Sequence, residues 1–172
     1  MPLLLWRLLT LLLVALSMAL SFCHLMEMPV RLSWEPILWM ETTNFGGLYY
    51  LFGSVGAVID VAAILAAAIL CFLVRRKLPS FYFTVVGAAL MAIGLAVWFT
   101  FVAPMNAIMA TWAPGSIPTE FIPVHNQWEY SHAVIALIKI GGLSAIFISV
   151  LADTRPFERL QAQKPAEGER TH

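Results

Sequence analysis

Two short stretches carry the residues able to do chemistry, "SFCHLMEMP" at 21–29 and "NQWEYSHA" at 126–133. His24 and Glu27 are three apart, as are Glu129 and His132, so on a helix each pair shares one face. The first pair runs His to Glu and the second Glu to His. On two antiparallel helices the reversals cancel, bringing both glutamates to one depth and both histidines about one turn deeper. Four-helix carboxylate proteins hold metal in their cores with Glu-x-x-His at this spacing. His24, Glu27, Glu129 and His132 could therefore ligate one zinc, iron or copper ion, whose open position would activate water or dioxygen. Soluble dinuclear sites take a glutamate from each of two further helices, and none is available here at that depth, so a single ion or none is expected. In the catalytic reading His132 is a ligand or general base, and Glu129 orients it or relays protons. In the structural reading the same groups pair by hydrogen bond and fix one helix against another. His125, in the preceding loop, is a reserve ligand.

The elements that position these groups follow from composition. The chain has 172 residues, 60% hydrophobic and 12% charged, too apolar for a soluble domain of this size. A bilayer crossing needs about 20 apolar residues. Stretches at about 3–27, 48–74, 80–104 and 128–152 qualify, and no soluble domain remains outside them. The expected fold is all-α, an integral membrane four-helix bundle over 1–155, with a mobile polar tail at 156–172. The first stretch also resembles a cleavable signal peptide, with Ala19-Leu20-Ser21 as a cleavage site. Its length, and the polar partners it supplies, favour a retained helix.

Formal net charge is zero, but the charges are unevenly placed. Arg75, Arg76 and Lys77 lie between the second and third stretches, and Arg155, Arg159, Lys164 and Arg170 follow the fourth. The other loops hold Arg31 against Glu35, Glu41 and Glu120. Positive charge favours the cytoplasmic side, which puts both termini there. No basic surface is left for a nucleic acid, and the expected partner is the lipid bilayer. Cys23 and Cys71 fall at opposite ends of their helices, too far apart for a disulfide. The loops at 29–47 and 104–127 are too rich in proline for long helices. They are long enough to cap a site. Trp34, Trp39, Trp112 and Trp128 lie on this elaborated side, either as an interfacial belt or as an aromatic mouth for a ring-shaped molecule. Trp112, Trp128 and Asn106 are candidate substrate-lining residues, with a helix-capping role the alternative for Asn106.

Deeper lie Asp60 and Lys139. Each is about eleven or twelve residues into its helix, and at roughly 1.5 Å per residue they share a depth. Lys139 follows His132 by seven, and Asp60 continues a stripe of Tyr49, Gly53 and Gly56. A buried ion pair near the midplane is expected, with a proton path as the alternative.

"FVAPMNAIMATW", "VHNQWEYSHA" and "HLMEMPVRL" together resemble the anthrone-oxygenase-like family of small four-helix membrane proteins, long listed as a domain of unknown function. The most specific parts are Pro104 with Asn106 and Trp128 with His132. The resemblance implies a four-helix bundle in the bacterial inner membrane that oxidises an apolar aromatic substrate with dioxygen, without an added cofactor. A different class, equally compatible with the polar stripe, is a non-enzymatic membrane subunit or small-molecule carrier. The orientation is checked by fusion: a reporter placed after Lys77 is expected to read as cytoplasmic and one near Ser116 as external. The reverse result would turn the protein over.

Overall fold

Within a bilayer the backbone must satisfy its own hydrogen bonds, so long apolar runs fold as helices. The structure, a computed structural model, describes residues 2–47 and 49–153, and the expected tail lies outside them. Six α-helices are defined: α1 (Pro2–Arg31), α2 (Pro36–Met40), α3 (Tyr50–Val74), α4 (Leu78–Val97), α5 (Ala103–Met109) and α6 (Phe121–Ala152). Single π-helical turns follow α2 at Glu41–Phe45 and α4 at Trp98–Val102. No strand occurs among the described residues. Among the described residues four helical segments are long and apolar enough to cross a membrane: α1, α3, the run Leu78–Met109, and α6. The chain is a multi-pass membrane protein.

Its burial pattern is that of a protein dissolved in lipid. Leu4, Leu5, Leu8, Leu12 and Leu16 are exposed along α1, while Arg7, Thr10, Ser17, Ser21, His24 and Arg31 are buried. With Val14 these buried positions are spaced three, four or seven apart, the repeat of one helix face. On α6 the buried face runs through His125, Trp128, Glu129, His132, Lys139 and Ser149. Apolar side chains gain nothing by leaving hydrocarbon, so packing here depends on close approach and on polar contacts.

The helices alternate in direction. One end gathers Arg7 from the start of α1, Lys77 before α4 and Asp153 after α6, with Arg7 Nη2 2.7 Å and Lys77 Nζ 2.5 Å from Asp153 Oδ2. Burial alone would push the Asp153 carboxyl up, but the hydrogen bonds and charges of these two cations outweigh it and hold it below the ordinary carboxylate range. The opposite end gathers the end of α1, the start of α3 and the first turns of α6. Between them α4 lies close against α6. A Cβ on Gly87 would come within 2.7 Å of Ile146 and 3.0 Å of the Gly142 carbonyl, so that approach requires glycine. Ser80 and Ser149 each donate to the other's carbonyl at 2.8 Å.

Several boundaries differ from the sequence reading. α1 continues through Pro29 to Arg31. A proline so near a C-terminus disturbs a single carbonyl, and Arg31 anchors the final turn. α6 begins at Phe121 rather than 128, because Pro123 falls in the first turn, where its missing N–H costs nothing. The stretch 104–127 is therefore partly helical, holding α5 and the first turns of α6. Likewise, 29–47 holds the end of α1, α2 and a π turn.

Asp60 and Lys139 meet at mid-height. Lys139 Nζ lies 2.7 Å from both Asp60 oxygens, and Ser17 Oγ donates to Oδ1 at 2.5 Å. The lysine stem runs along α4 at Gly94, where a Cβ would sit in ordinary contact with Lys139 Cγ at 3.5 Å. Lys139→Met or Asp60→Asn alone is expected to cost about 3 kcal/mol by stranding the other charge. The double variant should cost less than the two singles combined, measured by thermal unfolding in detergent. Additive losses would mean that the two groups stabilise the protein independently.

Candidate functional site

At the end opposite Asp153 the site is built around one buried cation. Arg31, the last residue of α1, is 1% exposed. Its Nε donates to Glu129 Oε1 at 2.7 Å, Nη2 donates to Thr43 Oγ1 at 2.9 Å, and Nη1 donates to the Tyr49 hydroxyl. Tyr49 donates onward to Glu27 Oε2 at 2.6 Å, and Trp39 Nε1 donates to Glu129 Oε1 at 2.6 Å. Burial, together with the hydrogen bond to Glu27, holds the Tyr49 hydroxyl above its ordinary pKa, so it remains a donor. The guanidinium lies 4.6 to 5.5 Å from the ring centroids of Trp34, Trp39, Tyr49 and Trp128, within cation–π range.

Next to this network His24 and His132 meet with ring centroids 4.4 Å apart. His132 Nδ1 is 2.9 Å from the Trp128 carbonyl. A carbonyl only accepts, so in the neutral ring Nδ1 carries the hydrogen and Nε2 holds the lone pair. His24 packs among Tyr49, Phe52 and Trp128, and its buried Nδ1 has no hydrogen-bond partner.

Two cavities join at these rings. The upper, about 250 Å³, is lined by Thr43, Asn44, Tyr49, Asn106, Met109 and Trp128. The lower, about 120 Å³, descends past Ser21, Gly56, Leu95 and Ile135 to Asp60 and Lys139. His24, Phe52, Gly53, Trp98 and His132 line both. Trp98 opens the π turn that precedes Pro104. That proline has no N–H for the Thr100 carbonyl and crowds it, so the helix widens before it.

The sequence candidates are thus sorted. His24, His132, Trp128 and Asn106 come together around the cavities. Asn106 caps nothing, and its Oδ1 instead accepts from Trp128 Nε1 at 2.9 Å. Trp112 lies away from both cavities, buried beside Phe121, with its Nε1 donating to Glu120 Oε1 at 3.0 Å. His125 belongs to α6, not to a loop, and stacks on Phe121. Glu27 and Glu129 do not converge on the histidines, because Tyr49 and Arg31 engage them. A metal ion placed among the four residues would have to compete with a guanidinium already on Glu129. Among the described residues no group of three or more His, Cys, Asp and Glu side chains could hold a metal ion. The donor set does not fit a metal.

Arg31 and Tyr49 escaped the sequence reading as site residues. Arg31 stands seven after His24 and fourteen after Ser17, on the polar stripe of α1, and that spacing was the available signal. Trp39, one of the tryptophans of the expected belt or mouth, instead bonds Glu129, placed there by α2. No family model matches the chain, and no curated protein or solved structure matches it either.

Arg31 makes three directed hydrogen bonds that an ammonium cannot reproduce. Arg31→Lys is expected to destabilise the protein on the order of 3 kcal/mol, nearly as much as Arg31→Met, by thermal unfolding in detergent. A lysine variant of wild-type stability would reduce the network to a simple charge contact.

Proposed function

We propose that the protein is a membrane oxidoreductase that takes a small apolar aromatic molecule into the joined cavities and uses His132 as general base. The observation that carries this reading is the 2.9 Å contact of His132 Nδ1 with the Trp128 carbonyl, which leaves the lone pair to Nε2 of a ring lining both cavities. Beside it, His24 presents an unpartnered buried nitrogen that can bind a ring hydroxyl or carbonyl. Aromatic walls suit a planar substrate: Phe52 and Trp98 flank the histidines, and Trp128 closes the top.

His132 Nε2 takes a proton from an acidic ring methylene. The resulting carbanion passes electrons to dioxygen. The methylene becomes a carbonyl that keeps one oxygen atom, and the other leaves as water with the two methylene hydrogens. Glu129, held by Arg31 and Trp39, acts as the anchor of the network and not as a metal ligand. The resemblance to the anthrone-oxygenase-like family supports this chemistry. On this reading the protein sits in the bacterial inner membrane with both termini cytoplasmic and the histidines toward the outside.

Purified protein given an anthrone is expected to consume oxygen, and His132→Ala to lose about a hundredfold of that rate at unchanged melting temperature. Uptake indifferent to His132→Ala would sink the assignment. Tight binding without uptake would make the protein a small-molecule carrier.

A further inference from the structure

The walls of the lower cavity are not equally closed. From Tyr50 to Ala62, α3 buries only Gly56. Farther along, Ala63, Ala66, Ala67, Leu70 and Val74 are all buried. Helix α3 is therefore well covered in its second half and less so in its first, where Phe52 and Asp60 still meet α1 and α6. Ala57 and Val61 border the gap on one side, Leu95 and Phe99 on the other, and all four line the lower cavity. Val61 is 47% exposed and Phe99 62%, so these walls reach the outer surface of the molecule. Ala57 and Val61 lie about 10 to 17 Å along α3 from its start, by helix rise. At that depth the surroundings are hydrocarbon.

The lower cavity, about 120 Å³, is somewhat smaller than the roughly 150 Å³ apolar cavity that holds benzene, so a single ring would fill it and reach into the side gap. Anything attached to that ring must leave it. Upward the way is lined by polar groups, among them Thr43, Asn44 and Asn106. Sideways it is lined by alanine, valine, leucine and phenylalanine and ends in lipid. His24, 6% exposed with Nδ1 unpartnered, supplies the polar contact that holds a ring hydroxyl at the inner end.

We propose that the site is loaded from the bilayer through this gap, and that its ligand is a hydroxylated aromatic ring bearing an apolar chain. The ring lies against His24 and His132, and the chain passes between α3 and Phe99 into the lipid. This rests on the substrate site proposed above and adds a route and a ligand class to it. A lipid-soluble substrate is thereby concentrated in the membrane before it binds. It never has to cross the ring of tryptophans around Arg31.

The test uses the full chain in phosphatidylcholine nanodiscs and two hydroquinones with the same ring, one without a chain and one with a decyl chain. Binding is followed by quenching of tryptophan emission and corrected for partition into lipid. The wild type is expected to bind the decyl compound at least tenfold more tightly. Ala57→Phe and Val61→Phe, each narrowing the gap from α3, are expected to remove that advantage, bringing the affinities of the two compounds within twofold of each other whatever the change in ring binding common to both. Either variant alone suffices if the other unfolds. Equal affinity of the wild type for the two compounds, or narrowing variants that keep the decyl advantage, would overturn the lateral route while leaving the ring site standing. A wild type that binds neither compound overturns the ring site itself, and the route with it.

Discussion

The contact between Arg31 and Glu129 governs this end of the protein. Both groups are almost wholly buried. Removing two charges from water costs several kcal/mol per ion, and their attraction offsets that only with good geometry and further hydrogen bonds. The further bonds come from Thr43, Tyr49 and Trp39, which lie in the segment between α1 and α3. The charge pair thus requires that segment to fold over it. It also fixes the end of α1 against the first turns of α6, and so brings His24 to His132. A neutral pair in place of Arg31 and Glu129 could pack well, but it would give the connecting segment no reason to close.

The same logic is repeated at two other levels. Asp60 with Lys139 and Ser17 ties α3, α6 and α1 at mid-height. Asp153 with Arg7 and Lys77 ties the far end. Each tie joins elements distant in sequence, where lipid offers no hydrophobic force to do so. Between α4 and α6 a different device serves, the approach of Gly87 to Gly142 with the serine exchange of Ser80 and Ser149. The polar interior and apolar exterior follow from the solvent.

The four apolar crossings were legible in the sequence because twenty-residue runs leave the backbone little choice. So was the meeting of Asp60 with Lys139, since depth by residue count and helical spacing both pointed to it. The approach of His24 to His132 followed from two i, i+3 pairs of opposite order. What failed was the partnering of the carboxylates. Glu27 and Glu129 looked like ligands because Arg31 was read as a loop charge beyond the end of a helix stopped by Pro29. One further turn of α1 moved that arginine into the core and changed the chemistry of both acids. Trp112 was misplaced for a related reason: α6 starts seven residues early, and Trp112 packs against its first residue, Phe121, not at the cavity.

The π turn at Trp98–Val102 has a consequence for how this chain can vary. Such a turn holds one residue more than an α-helical path would. Removing one of its five residues would leave a regular α-helix whose later residues keep nearly the same facing, with Met109 still buried and Asn106 still toward the Trp128 indole. A one-residue deletion in the regular turns of α4 would instead rotate everything after it by about 100°. Among descendants of this sequence, a one-residue gap in this helix should therefore fall within residues 98 to 102.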